Sequence, residues 1–332
     1  MRKGMTYAEA GVDISKENSA IKRLTKHLMF KRTGFGAPLI DIGHYAGLID
    51  LGDFALAMTT DGVGSKVLIA SAIGKWDTIG IDCIAMNVND LLAVGAEPMA
   101  FVDYLAMEKI NEDVMEQIGM GLQKGAEIAN VSIIGGETAT LPDIIRGFDL
   151  AGTCIGWVQK DKIITGKDIQ IGDVILGLPS SGIHSNGLTL ARKIIEGAGY
   201  SYRDSFSSDS KKSIGEVLLT PTRIYMEVLE LIKKCEVHGL AHITGSGLLK
   251  LGRITDHGFN FDKPLEAQPI FKFLQEEGGI SDREMYQTFN MGMGFLAVIP
   301  WGEGKKAQKI AGGKIVGEVV ENGIRVSEIK IQ

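Results

Sequence analysis

Residues 173–200 read "DVILGLPSSGIHSNGLTLARKIIEGAGY". The pattern changes period partway through. Residues 173–179 are a short apolar run that ends at a proline and a serine–glycine turn, the pattern of a buried strand. From residue 188 onward, Leu188, Ala191, Ile194 and Ile195 recur on one side of a helix. Strand, glycine turn and helix in one short span form the unit from which mixed α/β proteins are built. The turn also carries an ionisable ring, His184, among serines, glycines and Asn186. In one reading His184 is a bystander, and Ser185 or Asn186 caps the helix by accepting a hydrogen bond from a free N–H. In the other, a proton donor stands beside a helix N-terminus, whose free N–H groups suit phosphate.

The same mixture extends in both directions. Upstream, the pattern predicts a helix over 15–29, capped by Ser15, with Ala20, Ile21, Leu24 and Leu28 inward. A glycine loop follows at 33–40, then a strand at 54–62 and a buried helix within 77–98, stopped by Gly95 and Pro98. Next come a strand at 99–107, a capped helix at 111–130, and strands at 131–136 and 148–158. A charged, glycine-bearing connector, 159–173, separates the halves. Downstream lie a polar stretch at 201–213 that reads as a mobile loop, helices near 221–234 and 281–289, a strand at 294–300 and a closing αβ segment. The alternation predicts a mixed α/β (α+β) fold in two domains, residues 1–165 and 166–332.

Composition narrows the function classes. The chain of 332 residues is 45% hydrophobic and 23% charged, values of a globular protein. It holds 43 glycines, about 13% against roughly 7% on average, which points to many tight turns and close backbone approaches. A net charge of −6 gives no general field that would draw nucleic acid or an anionic membrane. Apolar runs are broken before they reach bilayer length, and the N-terminus lacks the apolar core of a signal peptide. Cys83, Cys154 and Cys235 stand far apart with no CxxC, so neither a zinc site nor a disulfide framework is indicated. The expectation is a cytoplasmic protein with reduced thiols and neither a nucleic-acid nor a membrane partner.

The motifs point to phosphate chemistry without either familiar nucleotide fingerprint, since GxGxxG and GxxxxGK[ST] are both absent. "TTDGVGSK" (59–66) ends a strand with a carboxylate, two glycines, a serine and a lysine. It is either an Asp–Gly turn, or a site where Asp61 holds Mg²⁺ while glycine N–H groups and Lys66 face phosphate. In "VNDLL" (88–92), Asn89 and Asp90 interrupt an apolar helix, where an unpaired carboxylate is costly to bury. A satisfied structural hydrogen bond or a second metal carboxylate would explain them. "GGETATLPD" (135–143) adds Glu137 after glycines at the end of another strand. Three such carboxylates fit a Mg²⁺–nucleotide site, because the ion takes oxygen ligands and bridges phosphates. The 15–29 helix contributes Lys22, Arg23 and Lys26, followed by Lys31 and Arg32 beside Gly34, Phe35 and Gly36. That cluster is either a solvated basic face or a glycine loop covering a triphosphate.

Together "TYAEAGVDI" (6–14), "TTDGVGSK", "IGIDCIAMNVNDLLAVGAEP" (79–98), "IIGGETATLPD" (133–143), "GLPSSGIHSNGLTLARK" (177–193), "LLTPTRIY" (218–225), "AHITGSGL" (241–248) and "FNMGMG" (289–294) resemble the aminoimidazole ribonucleotide synthetase family. The likeness runs in order over nearly the whole chain. It implies a homodimer whose N-terminal domains form a barrel across the interface, and an αβ C-terminal domain. It also implies that ATP and Mg²⁺ cyclise formylglycinamidine ribonucleotide through an iminophosphate. ATP would meet Gly34, Phe35, Gly36, Lys66, Asp61 and Asp90, with Asp61, Asp90 and Glu137 on the metal. The substrate would meet Ser181, Asn186, His242 and Thr244, and His184, in an exposed turn, would be catalytic. Two departures fall together. Ser246 interrupts the family's glycine triplet, and "LLKLGRI" (248–254) keeps only Arg253 of a Glu-Asn-x-Pro-Arg segment. Selenophosphate synthetases place a reactive Cys near the N-terminus, which this chain lacks. Thiamine-monophosphate kinases lack the "GVDI" opening and the "SSGIHSNG" stretch. A thiamine-monophosphate kinase-like enzyme of the same superfamily and a non-catalytic nucleotide-binding regulator are the alternatives.

Overall fold

The computed structural model describes residues 6–332. Residues 1–5, part of the leader reading, lie outside the described residues. The first half holds α1 (Ile14–Thr25), β1 (Gly47–Asp50), β2 (Phe54–Gly62), α2 (Lys66–Ile73), α3 (Ile79–Leu92), β3 (Glu97–Met107), α4 (Glu112–Ala129), β4 (Ser132–Thr140) and β5 (Phe148–Gln159). The second holds β6 (Val174–Pro179), α5 (Leu188–Gly197), β7 (Ser205–Phe206), β8 (Asp209–Ser213), α6 (Ile214–Leu218), α7 (Glu227–Lys234), β9 (Gly239–His242), β10 (Gly258–Phe261), α8 (Pro269–Gly278), α9 (Asp282–Thr288), β11 (Met293–Ile299), α10 (Gly304–Ala311), β12 (Lys314–Val320), β13 (Ile324–Val326) and β14 (Ile329–Lys330). The mixed α/β expectation holds.

Each half builds its own sheet. The first is five-stranded in the order β1-β2-β5-β3-β4, antiparallel except for the parallel β3–β4 pair. The second is seven-stranded, β14-β13-β10-β12-β6-β11-β9, with β10–β13 its parallel pair. Helix α3 packs on the first sheet with α4 behind it, and glycines set how closely those helices approach. A Cβ at Gly80 would overlap the backbone of Leu122, and one at Gly121 would lie 2.7 Å from the Asp77 carbonyl. Larger side chains there would push α3 off its seat. The opposite sheet face is bare, with Phe54, Met58 and Tyr104 exposed on β2 and β3. Strand β4 is a sheet edge, and every residue but one of it is exposed.

Some expectations change. Helix α1 begins at Ile14 and is capped by Asp13, which accepts from Lys16 N–H at 3.0 Å, while the Ser15 hydroxyl donates to the same carboxylate. The helix stops at Thr25, and Ala20, Ile21, Leu24 and Leu28, expected inward, are all exposed; no residue of the helix is buried among the described residues. The polar 201–213 stretch is no mobile loop but the β7–β8 hairpin, leading into α6 through a Ser213–Glu216 capping box. The helix expected from 221 starts only at Glu227. Residues 220–225 instead form a strap whose backbone is held by buried side chains of the first half.

Candidate active site

The strap shows how the halves are joined. Lys66, at the start of α2, is fully buried, and its ammonium donates to Asp82 Oδ1 and to the Thr220 carbonyl, both at 2.8 Å. Asp82 Oδ1 also accepts from the Thr222 N–H at 2.8 Å and its hydroxyl at 2.6 Å. Burial pulls the Lys66 ammonium below its ordinary range, and Asp82 opposes that pull. The expected phosphate contact of Lys66 is therefore corrected: its ammonium is spent on a buried ion pair with Asp82 and on the Thr220 carbonyl, which ties the two halves together. The strap reaches the His184 turn as well, since the Ser181 hydroxyl donates to the Pro221 carbonyl and Tyr225 and Arg223 both donate to Pro179 O.

Against this seam α3 presents three polar side chains at 87, 89 and 90. The Asn87 amide accepts from Asp61 N–H at 3.0 Å and donates to the Asp61 carbonyl at 3.1 Å, clamping the backbone of that carboxylate on both sides. Asp61 ends β2, and its Oδ1 accepts from Gly62 N–H. Burial pushes the Asp61 carboxyl up, and the Asp90 charge pushes it further, while Lys250 and His242 pull the other way. Asp90 Oδ1 meets His242 Nδ1 at 2.9 Å. Asn89 donates to the Arg223 carbonyl and accepts from the Tyr225 N–H, so the strap grips α3 a second time. From the second half, Lys250 and Arg253 stack on the buried Tyr45 ring, 5.9 and 5.7 Å from its centroid. Asp61, Asp90, His242, Lys250, Arg253 and Tyr45 thus gather at the seam between the halves.

Asp61 and Asp90 fit a divalent cation. Two like charges sharing a largely buried site raise one proton affinity until a cation neutralises them. Mg²⁺ is commonly held by one or two carboxylates, with phosphates and water completing its octahedron. Glu137 does not join them: it lies exposed on edge strand β4, opposite Tyr104, and among the described residues no three Asp, Glu, His or Cys gather as a ligand cluster. The Gly34–Gly36 loop is also apart within one chain. Gly36 N–H donates to Asp50 O, Asp50 pairs with Ala55, and Asp61 lies six residues further along β2, about 20 Å at strand rise. Phe35 at its tip is exposed.

The His184 turn differs from an exposed loop. The His184 side chain is wholly buried and its backbone is left-handed at φ 63°. Ser181 N–H donates to Nε2 at 3.2 Å, so Nε2 carries no proton and the neutral ring is protonated on Nδ1. Nδ1 has no partner. Burial holds the ring well below the ordinary imidazole range, reinforced by His242, Lys66 and Arg223. Gly294 makes room for it, since a Cβ there would overlap the Tyr225 hydroxyl and crowd the His184 ring. Neither Ser185 nor Asn186 caps α5: the cap is Gly187 at φ 74°, without a side-chain bond. Asn186 faces α3 through Met86 Sδ at 3.8 Å and lies beside Gly245. Thr244 is buried two residues after His242. His242, expected to meet substrate, has both ring nitrogens engaged within the protein, Nδ1 by Asp90 and Nε2 by Asn89 at 3.4 Å. Asn87 and Lys250 escaped the sequence reading. Asn87 shared the "NVND" signal that exposed Asn89, while Lys250 sat in an amphipathic run with no distinguishing pattern.

Comparison with known proteins agrees with this architecture. Residues 43–158 match the family model of the AIR synthase related protein, N-terminal domain, and 170–329 match its C-terminal domain. A phosphoribosylformylglycinamidine cyclo-ligase of Methanosarcina barkeri is 64% identical over 330 residues, covering 99% of both chains. One of Thermococcus kodakarensis is 52% identical over 344 residues with the same coverage. Among solved structures, AaThiL complexed with AMPPCP and TMP superposes with a TM-score of 0.69 at 16% identity, over 97% of each chain.

Proposed function

The chain belongs to the AIR synthase related protein family, among full-length relatives named as cyclo-ligases, and we propose a residue-level route for their reaction in it. The protein is an ATP-dependent ligase of purine biosynthesis that closes formylglycinamidine ribonucleotide to aminoimidazole ribonucleotide, releasing ADP and phosphate. The structural likeness to AaThiL, at 16% identity, speaks for a common fold and not for its substrate.

The chemistry follows from the inertness of an amide. Its oxygen is a poor leaving group, so it first attacks the γ-phosphorus of ATP and expels ADP, giving an iminophosphate. A nitrogen of the same molecule then attacks that carbon, and the C–O bond breaks with phosphate as the leaving group. Holding both ends in one cleft makes ring closure effectively unimolecular. Asp61 and Asp90 would hold Mg²⁺, which supplies charge neutralisation on the transferring phosphoryl. Lys250 and Arg253 flank those carboxylates with positive charge suited to phosphate oxygens. Ser181, Asn186 and Thr244 line the two loops that frame the substrate end. The observation that carries this reading is the pairing of Asp61, its backbone clamped on both sides by Asn87, with Asp90, which lies one turn along the same helix as Asn87 and is held by His242.

His184 is assigned as hydrogen-bond donor or proton shuttle to the substrate oxygen. A buried N–H without an acceptor costs about 1–3 kcal/mol, and a left-handed non-glycine residue adds strain, a combination found at ligand sites. In a coupled assay, ADP release requires formylglycinamidine ribonucleotide, and His184→Asn, which tolerates the left-handed backbone, lowers kcat by about 10²–10⁴-fold. Because the ring is buried, its loss also lowers the melting temperature. Turnover with thiamine monophosphate instead, or wild-type kcat in the variant, would defeat the assignment.

We further place the boundary between the two domains at residues 165/166, and the protein in the cytoplasm, where its three buried free cysteines stay reduced. Among the described residues no helix is long and apolar enough to cross a membrane. The bare face and open β4 edge of the first sheet support a homodimer in which two such sheets meet, since unpaired edges and apolar faces seek partners. Sedimentation equilibrium should give twice the chain mass, and a fully active monomer would refute it.

A further inference from the structure

We propose that Asn89 and His242 are positioning residues that fix the Asp90 carboxylate for its cation, an inference that rests on the reading of Asp90 as a metal–nucleotide ligand. Two backbone groups of opposite polarity flank the Asn89 amide. The Tyr225 N–H donates to Asn89 Oδ1 at 3.1 Å, and the Arg223 carbonyl accepts from Asn89 Nδ2 at 2.8 Å. A donor on one side and an acceptor on the other leave the amide a single orientation. Its Nδ2, a donor only, therefore faces His242 Nε2 at 3.4 Å.

A ring nitrogen that faces an N–H donor is unprotonated. His242 then carries its proton on Nδ1, where Asp90 Oδ1 accepts it at 2.9 Å. The chain of contacts runs from the strap through Asn89 and His242 to one oxygen of Asp90. That oxygen is held by the imidazole before any ligand arrives. Outer partners of this kind orient metal-binding groups and govern how well they bind. Both side chains are wholly buried, and His242 also stacks on Phe295, so the ring has no freedom to turn away. Asn87 does for the Asp61 backbone what this pair does for the Asp90 side chain. One helix thus pins both carboxylates, and the Asp90 arm is anchored in the second half of the chain.

Two measurements on the full-length protein test this. The first is the ¹⁵N spectrum of histidine-labelled protein at neutral pH without nucleotide or metal, with the His242 signals assigned from their loss in His242→Asn. A protonated Nδ1 and bare Nε2 are expected. The Nε2–H tautomer, or a doubly protonated ring, overturns the proposal. The second compares two replacements. An asparagine amide can stand where Nδ1–H stood and donate to Asp90, whereas a glutamine amide reaches toward Asn89 and leaves Asp90 unheld. His242→Asn should bind Mg²⁺·ATP at least about ten-fold more tightly than His242→Gln and turn over correspondingly faster. Equal impairment of both variants, the result of a purely structural role, overturns the proposal. Near-normal turnover of Asp90→Asn would instead remove the underlying ligand assignment, and the spectrum separates that failure from a failure of the positioning chain.

Discussion

Asp61→Asn and Asp90→Asn each lower Mg²⁺–ATP-dependent turnover by about 10²–10³-fold, the scale on which removal of a preorganised electrostatic group acts. The fold should survive, and for Asp61 the sign of the stability change is informative. Its folded-state acidity is weakened by burial and by Asp90, so the charged form is disfavoured in the folded protein at neutral pH. Asparagine keeps the Oδ1 that accepts from Gly62 N–H but carries no charge. The Asp61→Asn protein should therefore melt at or above the wild-type temperature while losing activity, the exchange of stability for function expected of an active-site carboxylate. Steady-state ADP release and a thermal melt on the same preparation decide it. Both variants turning over near the wild-type rate would displace the metal site from this cleft.

Lys66→Met should have the largest effect on stability. It leaves Asp82 buried with only the Thr222 donors and frees the Thr220 carbonyl at the seam between the halves. Breaking a buried pair from one side costs about 3–5 kcal/mol, because the remaining charge is uncompensated. A urea titration should show the loss, and Lys66→Met with Asp82→Leu should recover part of it. ATP affinity of the protein that remains folded should stay close to wild type. A variant that melts normally but binds ATP poorly would return Lys66 to the phosphate contact its place in "DGVGSK" suggested.

That contrast shows where the sequence was legible. Strands β2, β5 and β6 and helix α5 sit where their periodicities place them, because burial dictates both pattern and structure there. Asn89 and Asp90 stood out because polar residues in a buried helix need a reason, and the structure supplies one in the His242 and strap contacts. Lys66 misled because a lysine after a glycine turn looks the same in sequence whether it faces phosphate or a carboxylate 16 positions on. The helix expected near 221–234 loses its first residues to the strap, because the strap's backbone groups are claimed by Lys66, Asp82 and Asn89 from far upstream. His184 was read as exposed because glycines and serines around it suggest a surface loop. Its burial comes from Tyr225 and from the space left by Gly294, partners 41 and 110 residues away.

Ring closure at this site follows phosphorylation of the amide oxygen. With formylglycinamidine ribonucleotide labelled with ¹⁸O in its formyl carbonyl, one ¹⁸O is expected in each inorganic phosphate released, read by mass spectrometry, with none in water. Label released to water, with unlabelled phosphate, would contradict it.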